Sequence, residues 1–317
     1  MIKPNIKNEY GKLKSVLVCK PYFGMNPDEA VQAFDELNKI VNLMSAMGGE
    51  FMLGLNDNQI ESAANGTSGP HAAGVITGHR EFVKTMEKHG TEVVYSDIMD
   101  GLQGQMFTRD HVAVIGDKML LCPNGDPEVD IMNWRGARPA LTRMDEKNII
   151  LPPPFVKIEG GDIIIHGNTI FVGQNGSGTS RQGLEYLKDC FGDRYDVKGI
   201  SMSSFHRLTG RPAVHLDTLF NPVSQDKALA FKEGIDDKSV HELEKHFELV
   251  PVNRSEQTAL GVNTLSLGND VVVSQKAHSR INTRLRKLGL TVEEIDIPIV
   301  ANEGGAFRCM TAPLERE

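Results

Sequence analysis

Short apolar runs, separated by single polar turns, recur along the sequence. The turns include Gly116-Asp117, Gly167-Asn168 and Gly268-Asn269. Such dipeptides are typical of two-residue turns in β-hairpins. We therefore predict a β-hairpin in each of four similar segments of the chain. An Asp or Asn precedes the first strand of each hairpin, at Asp110, Asp162, Asp217 and Asn263.

A helix and a further strand are predicted after each hairpin. Within residues 180–191, Leu184, Leu187 and Phe191 share one helical face, and Gly192 ends the helix. Residues 195–200 then have the pattern of a strand. The later copies follow the same order, with helices predicted at 238–247 and 278–288 and strands at 248–252 and 290–297.

The N-terminal third has the same plan. Strands are predicted at 13–18 and 92–95, with helices at 27–47 and 79–89 between them. The unit of hairpin, helix and strand is thus used about five times, and one copy alone is too small to bury a core. We expect a closed ring of α/β units that forms a single domain over residues 1–317. The mouth of each hairpin, which is its open end opposite the turn, would face the centre of the ring.

Acidic residues at the hairpin mouths suggest a binding site. If the mouths converge, Asp110, Asp162, Asp217 and Asn263 lie near one axis. Carboxylates in one pocket repel each other unless a cation lies among them. Each Asp could be only a turn or capping residue, but three at equivalent positions favour a cation-binding pocket.

Charge and composition exclude several kinds of partner. The 317 residues include 34 basic and 42 acidic residues, for a net charge of −8. Without a basic block, neither nucleic acid nor an anionic membrane is expected as a partner. No apolar stretch approaches the ~20 residues of a membrane span, and residues 1–5 do not resemble a signal peptide. We expect a cytoplasmic protein with reduced cysteines, whose spacings fit no zinc site.

One cysteine and one histidine stand out as candidates for catalysis. Cys309 follows the pair Gly304-Gly305, where the backbone can approach a ligand closely. The other cysteines are interpreted as small hydrophobic residues. Strand alternation would place His215 on the same face as Asp217, which makes this histidine the acid/base candidate.

Four motifs together resemble the guanidino-group-modifying enzymes, which are the arginine deiminases, dimethylarginine dimethylaminohydrolases and amidinotransferases. The motifs are Phe107-Thr108-Arg109-Asp110, Glu159-Gly160-Gly161-Asp162, His215-Leu216-Asp217-Thr218, and Gly304-Gly305 before Arg308-Cys309-Met310-Thr311. They stand in the order found in that family. The resemblance implies a five-bladed α/β-propeller, called the pentein fold, and chemistry without a cofactor or a metal ion.

The resemblance also implies roles for individual residues. Cys309 would be the nucleophile that forms a covalent amidino-thioether with a small guanidino substrate. His215 would protonate the leaving amine and activate the second nucleophile, and Glu159 would hydrogen-bond His215. Asp110 and Asp217 would hold the guanidinium nitrogens. Further candidates for substrate binding are Asp162, Phe107 and Arg308.

The reaction and the far end of the substrate stay open. Gly178 occupies the position where arginine deiminases carry an Arg for the substrate carboxylate, and Arg181, Arg280 or Arg308 could replace it. The leading hypothesis is a deiminase-type hydrolase of arginine or a related guanidino compound. The alternatives are an amidinotransferase with an amine acceptor and a non-catalytic binder of cations. A homodimer is a plausible assembly.

Overall fold

The computed structural model describes residues 1–22, 70–102, 104–153, 155–175, 177–202, 215–297 and 305–317. The predicted helix at 27–47, Gly176 and Gly304 lie outside the described residues. The strands are β1 (Leu13–Val18), β2 (Glu92–Tyr95), β3 (Val112–Ile115), β4 (Lys118–Leu121), β5 (Ile149–Ile150), β6 (Ile163–His166), β7 (Thr169–Gln174), β8 (Asp196–Ser201), β9 (Phe220–Pro222), β10 (Lys227–Ala230), β11 (Glu248–Pro251), β12 (Leu265–Gly268), β13 (Val271–Gln275), β14 (Thr291–Ile295) and β15 (Ala312–Arg316).

Within the described residues these strands form five three-stranded sheets of one plan. In β6-β7-β8, the first two strands pair antiparallel and the third pairs parallel to the second. A parallel neighbour requires a crossover connection, which the helix Arg181–Phe191 supplies here. The predicted repeat is therefore confirmed. The longer helices are Pro70–Lys88, Pro127–Gly136, Arg181–Phe191, Asp237–Glu244 and Ser279–Lys287, and the shorter ones are Thr108–His111, Arg138–Leu141 and Arg254–Thr258.

One sheet joins the first and last strands and closes the ring. β15 pairs antiparallel with β1, which pairs parallel with β2. β15 thus takes the place of the first hairpin strand in the other sheets. The sequence analysis did not predict β15, because no hairpin turn connects it to β1 and it contains Pro313. Its place at the edge of the sheet is where a strand tolerates proline.

Two of the three predicted hairpin turns are confirmed. Ile115 pairs with Lys118 across Gly116-Asp117, and His166 pairs with Thr169 across Gly167-Asn168. In the last hairpin Gly268 itself pairs with Val271. The turn residues there are Asn269 and Asp270, with φ of 51° and 59°, so the predicted dipeptide Gly268-Asn269 is wrong by one position.

The N-terminal segment, residues 5–12, runs across the turn end of the ring. Ile6 bridges to Gly116, and Asn8 bridges to His166. A Cβ placed on Gly268 would lie only 2.2 Å from Cα of Lys12, so the segment passes closely over this turn as well. Because the turns lie opposite the hairpin mouths, the segment closes the end of the ring away from the mouths.

Apolar side chains fill the space between the sheets and their helices in three buried clusters. The helix Arg181–Phe191, for example, buries Leu184, Leu187 and Phe191, as its spacing predicts. None of the described helices has an apolar stretch sufficient to cross a bilayer.

Candidate active site

The mouths of all five sheets contribute a polar or nucleophilic side chain. The residue lies just before the first strand of each sheet, and the set comprises Asp110, Asp162, Asp217, Asn263 and Cys309. Cys309 is thus the fifth member of the series of Asp and Asn residues identified in the sequence. That equivalence could have been found only by assigning a strand to residues 312–316.

Cys309 lies in a buried turn that Asn263 holds in place. Nδ2 of Asn263 is 3.2 Å from Sγ of Cys309. Oδ1 of the same amide accepts the backbone N–H groups of Arg308 and Cys309, both at 3.1 Å. Because both ends of the amide contact this turn, Asn263 fixes the position of the thiol.

The thiol also faces a buried carboxylate. Sγ of Cys309 lies 4.0 and 3.9 Å from the two oxygens of Asp217, whose exposure is 0%. Burial raises the pKa of the Cys309 thiol well above its usual value, and the charges of Asp217 and Asp110 raise it further. A positive charge next to these carboxylates would reverse that effect and favour the thiolate.

His215 lies between two carboxylates. Its Nε2 is hydrogen-bonded to Glu159 at 2.5 Å, and its Nδ1 is 3.4 Å from Asp110. Burial opposes the charged imidazolium, but the charge of Asp110 and the hydrogen bond with Glu159 outweigh it and raise the pKa of His215 well above its usual value. This shift favours the charged imidazolium at neutral pH.

Glu159 has a second cationic neighbour. Nζ of Lys157 lies 3.1 Å from its Oε1, on the side away from His215. Burial would raise the pKa of Glu159, but the hydrogen bond and charge of His215 and the charge of Lys157 lower it below its usual value. The carboxylate therefore stays ionised and holds the imidazolium in a fixed orientation.

The segment that starts at His215 forms a turn and not the predicted strand. Leu216–Thr218 is a 3₁₀ helix, preceded by His215 in extended conformation. The predicted common strand face for His215 and Asp217 is therefore wrong. The turn directs the two side chains to different partners: His215 contacts Glu159 and Asp110, and Asp217 contacts Cys309.

Oδ1 of Asp110 is ion-paired with Nδ1 of His215 at 3.4 Å but accepts no hydrogen bond from it. The side chain of Asp110 is 16% exposed, and within the described part of the chain its Oδ1 makes no hydrogen bond. Burial raises its pKa to about 7, since the opposing charge of His215 is countered by Asp217, Glu159 and Asp162. A largely buried carboxyl whose oxygen is ion-paired but not hydrogen-bonded is suited to bind a further cationic donor.

Three predicted substrate-binding residues lie in other surroundings. The oxygens of Asp162 accept the backbone N–H groups of Thr179 at 2.6 Å and Leu216 at 2.9 Å. Arg308 is 1% exposed, and its Nη1 donates to Glu9 at 2.6 Å. Both oxygens of Asp162 and both Nη atoms of Arg308 are thus already bonded within the protein. Phe107 packs against Gly305, where an added Cβ would lie 2.3 Å from its ring.

Close approach to the site explains two glycines. A Cβ on Gly161 would lie 2.7 Å from both Oδ1 of Asp110 and Nδ1 of His215. On Gly178 it would lie 2.3 Å from Oδ2 of Asp162. An arginine at Gly178 would therefore displace the Asp162 carboxylate. Of the proposed replacements, Arg181 is exposed and Arg280 is bonded to Glu256 at 2.6 Å.

Sequence reasoning missed a cluster of buried charges below Cys309. Glu9 enters the axis from the N-terminal segment, where its Oε1 accepts the backbone N–H of Ile165 at 3.1 Å. Arg109, Arg308 and Arg316 surround it, all buried. Glu9 stands in the polar stretch Asn8-Glu9-Tyr10, where no local pattern distinguishes a buried carboxylate from an exposed one.

Comparison with known proteins agrees with this architecture. A family model described as "N,N dimethylarginine dimethylhydrolase, eukaryotic" matches residues 155–316, about half of the chain and most of the site. The chain belongs to this family. The family places it in the pentein superfamily, as the resemblance of the sequence motifs implied.

Relatives and a solved structure extend the comparison over the whole chain. Protein YkgA of Bacillus subtilis (strain 168) is 28% identical, covering 98% of this chain and 94% of that protein. An arginine deiminase of Bacillus thuringiensis subsp. konkukian (strain 97-27) is 26% identical; the match covers 73% of this chain and 65% of the deiminase. The amidinotransferase SxtG from Microseira wollei has a TM-score of 0.70 at 18% identity, covering 99% of this chain and 98% of that chain. The predicted five-bladed pentein fold is thereby confirmed.

Proposed function

We propose that this family member is a cysteine-dependent enzyme that hydrolyses a C–N bond of a guanidino compound. One observation carries the proposal: a buried thiol lies 3.9 Å from a buried carboxylate in the site that also holds His215 between Glu159 and Asp110. A binding site for cations would need the carboxylates but neither the thiol nor the histidine.

The carboxylates select a planar cation. Within the described residues Oδ1 of Asp110 makes no hydrogen bond, although it is ion-paired with His215, and the carboxylate of Asp217 lies beside the thiol. Each charge-assisted hydrogen bond to a guanidinium is worth ~1.5–3 kcal/mol. The bound cation compensates the negative charges that raise the pKa of Cys309, so the thiol loses its proton to solvent as the substrate enters.

The first half-reaction forms a covalent intermediate. The thiolate of Cys309 adds to the guanidinium carbon, making a C–S bond. One C–N bond then breaks, and the protonated His215 gives its proton to the departing nitrogen, which leaves as ammonia or an amine. Glu159 and Lys157 hold the imidazole in place during this transfer.

The second half-reaction regenerates the thiolate. The now neutral His215 takes a proton from a water molecule, whose oxygen attacks the same carbon. The C–S bond breaks with its electrons returning to Cys309, the added hydroxyl loses its remaining proton to solvent, and the product is a ureido compound. In the alternative, an amine takes the place of the water and the enzyme transfers an amidino group.

A product assay separates these reactions. The protein is incubated with arginine, agmatine, guanidinoacetate or an N-methylated arginine, with and without glycine or ornithine as acceptors. We expect ammonia or a methylamine, together with a ureido product, independent of the added amine. A new guanidino compound that forms only with an acceptor would establish transfer. Turnover of none of these compounds, in a protein that is folded by circular dichroism, would contradict the proposal.

A further inference from the structure

A buried network of charges connects the N-terminal segment to the candidate nucleophile. Nη1 of Arg308 donates to Oε2 of Glu9 at 2.6 Å, and Nη2 donates to the carbonyl of Ile163 at 3.2 Å. Nε of the same guanidinium lies 3.3 Å from Oδ2 of Asp217. Arg308 thus connects Glu9, in the N-terminal segment, to the Asp217 carboxylate beside Cys309.

Arg109 joins the same network from the opposite side of the turn. Its backbone N–H donates to the carbonyl of Cys309 at 3.1 Å, and its Nε donates to the carbonyl of Arg308 at 3.3 Å. Its Nη1 lies 3.9 Å from Glu9. Arg109 therefore holds the turn of Cys309 by its backbone, and together the two arginines bring two positive charges next to this turn.

Packing alone does not account for these charges. Replacing a buried ion pair by apolar groups of similar volume is often neutral or stabilising, because desolvation of the ions is costly. Here the guanidinium of Arg308 contacts two carboxylates, that of Asp217 beside the thiol and that of Glu9 from the N-terminal segment. The guanidinium is therefore placed to hold the Asp217 carboxylate next to the Cys309 thiol.

We propose that Arg308 is a positioning residue, which holds the Asp217 carboxylate against the Cys309 thiol and supports the thiolate, and that Glu9 is the counterion that sets how much positive charge acts there. This inference rests on the proposed function for its kinetic consequences. Its electrostatic consequence for the thiol is independent of any substrate.

The rate of Cys309 alkylation by iodoacetamide, followed by peptide mass spectrometry from pH 6 to 11, tests the electrostatic part. Arg308→Gln removes a positive charge, so its alkylation profile should move to higher pH. Glu9→Gln removes a negative charge, so its profile should move to lower pH. Equal displacements in one direction, or no displacement in either variant, would overturn the proposal, because a structural role alone disturbs both partners alike.

Arg316 offers a matched control within the same buried cluster. It directs Nη1 to the carbonyl of Gly11 and Nη2 to that of Ser266. Arg316→Lys should lower the melting temperature but leave the Cys309 profile in place. A shift equal to that of Arg308→Gln would contradict the proposal. If Arg308→Gln does not fold, Arg308→Lys and Glu9→Gln provide the comparison, and the Lys variant should keep the wild-type profile.

Steady-state kinetics provide the second arm. Arg308→Gln should lower kcat/KM at least ~10-fold, equivalent to ~1.4 kcal/mol, and Arg308→Lys should recover part of the loss. Unchanged kinetics in Arg308→Gln would overturn the positioning role. If the wild type turns over no guanidino compound, the proposed function fails while the alkylation profiles still decide the electrostatic role.

Discussion

The Asp110 carboxyl links ligand binding to protonation. Burial raises its pKa to about 7, so it carries a proton between its usual range and neutral pH. Binding of a guanidinium should ionise it and release that proton. Calorimetry of arginine binding to the Cys309→Ser protein at pH 6, in buffers of different ionisation enthalpy, should show net proton release. Release that is unchanged in the protein with Asp110→Asn added would contradict the role of Asp110.

The same shift predicts opposite effects on stability and catalysis. Because the folded-state pKa of Asp110 exceeds its unfolded value, its ionisation destabilises the fold as pH rises from about 4 through 7. Asp110→Asn should therefore keep or raise Tm at pH 8. It should lower kcat/KM ~10- to 150-fold, the equivalent of a lost charge-assisted hydrogen bond of ~1.5–3 kcal/mol. A collapsed Tm with normal kinetics would identify Asp110 as a structural cap.

At the scale of elements, the two ends of the hairpin β6-β7 should respond differently to substitution, one in catalysis and the other in stability. Gly161 lies at its mouth against Asp110 and His215, and Gly167 lies at its turn with φ of 57° and open space for a Cβ. Gly161→Ala should displace His215 and lower kcat/KM ~10-fold or more. Gly167→Ala should cost ~1–2 kcal/mol of stability through its left-handed backbone and leave kcat/KM unchanged. Equal kinetics for the two variants would contradict the assigned site.

Local patterns predicted most of these elements. Alternating apolar runs and Gly-Asp or Gly-Asn turns mark hairpins because turn chemistry is local, and helical spacing marks the crossovers. β15 was not predicted because its partner strand β1 lies at the other end of the chain. His215 was predicted wrongly on a strand because the 3₁₀ turn at Leu216–Thr218 depends on tertiary contacts. Among them is the hydrogen bond that the backbone N–H of Leu216 donates to Asp162.

The whole molecule brings together residues that no local pattern relates. Ring closure through β15 places Cys309 with the four other mouth residues, and the N-terminal segment inserts Glu9 beneath them. The motifs of the candidate site could be identified from sequence. The buried network of Glu9, Arg109 and Arg308 could not, because its members lie far apart in the chain.

A pocket of carboxylates should stabilise the folded protein with cationic ligands only. In thermal-shift measurements on the Cys309→Ser protein, arginine or agmatine at one hundred times Kd should add roughly 2.7 kcal/mol to the free energy of unfolding. Citrulline has nearly the same shape without the charge and should add much less. Equal shifts for arginine and citrulline would exclude a pocket that selects a cation through Asp110 and Asp217.

The covalent intermediate is the most direct test of the proposed chemistry. Intact-protein and peptide mass spectrometry of the wild-type protein, quenched with acid during turnover of a guanidino substrate, should reveal an adduct on Cys309, absent from the Cys309→Ser protein. For a hydrolase of deiminase type, the added mass equals the substrate minus ammonia or a methylamine, whereas a transferase leaves only the amidino group. A substrate turned over by the wild type without any adduct on Cys309, or with unchanged turnover in Cys309→Ser, would contradict the account.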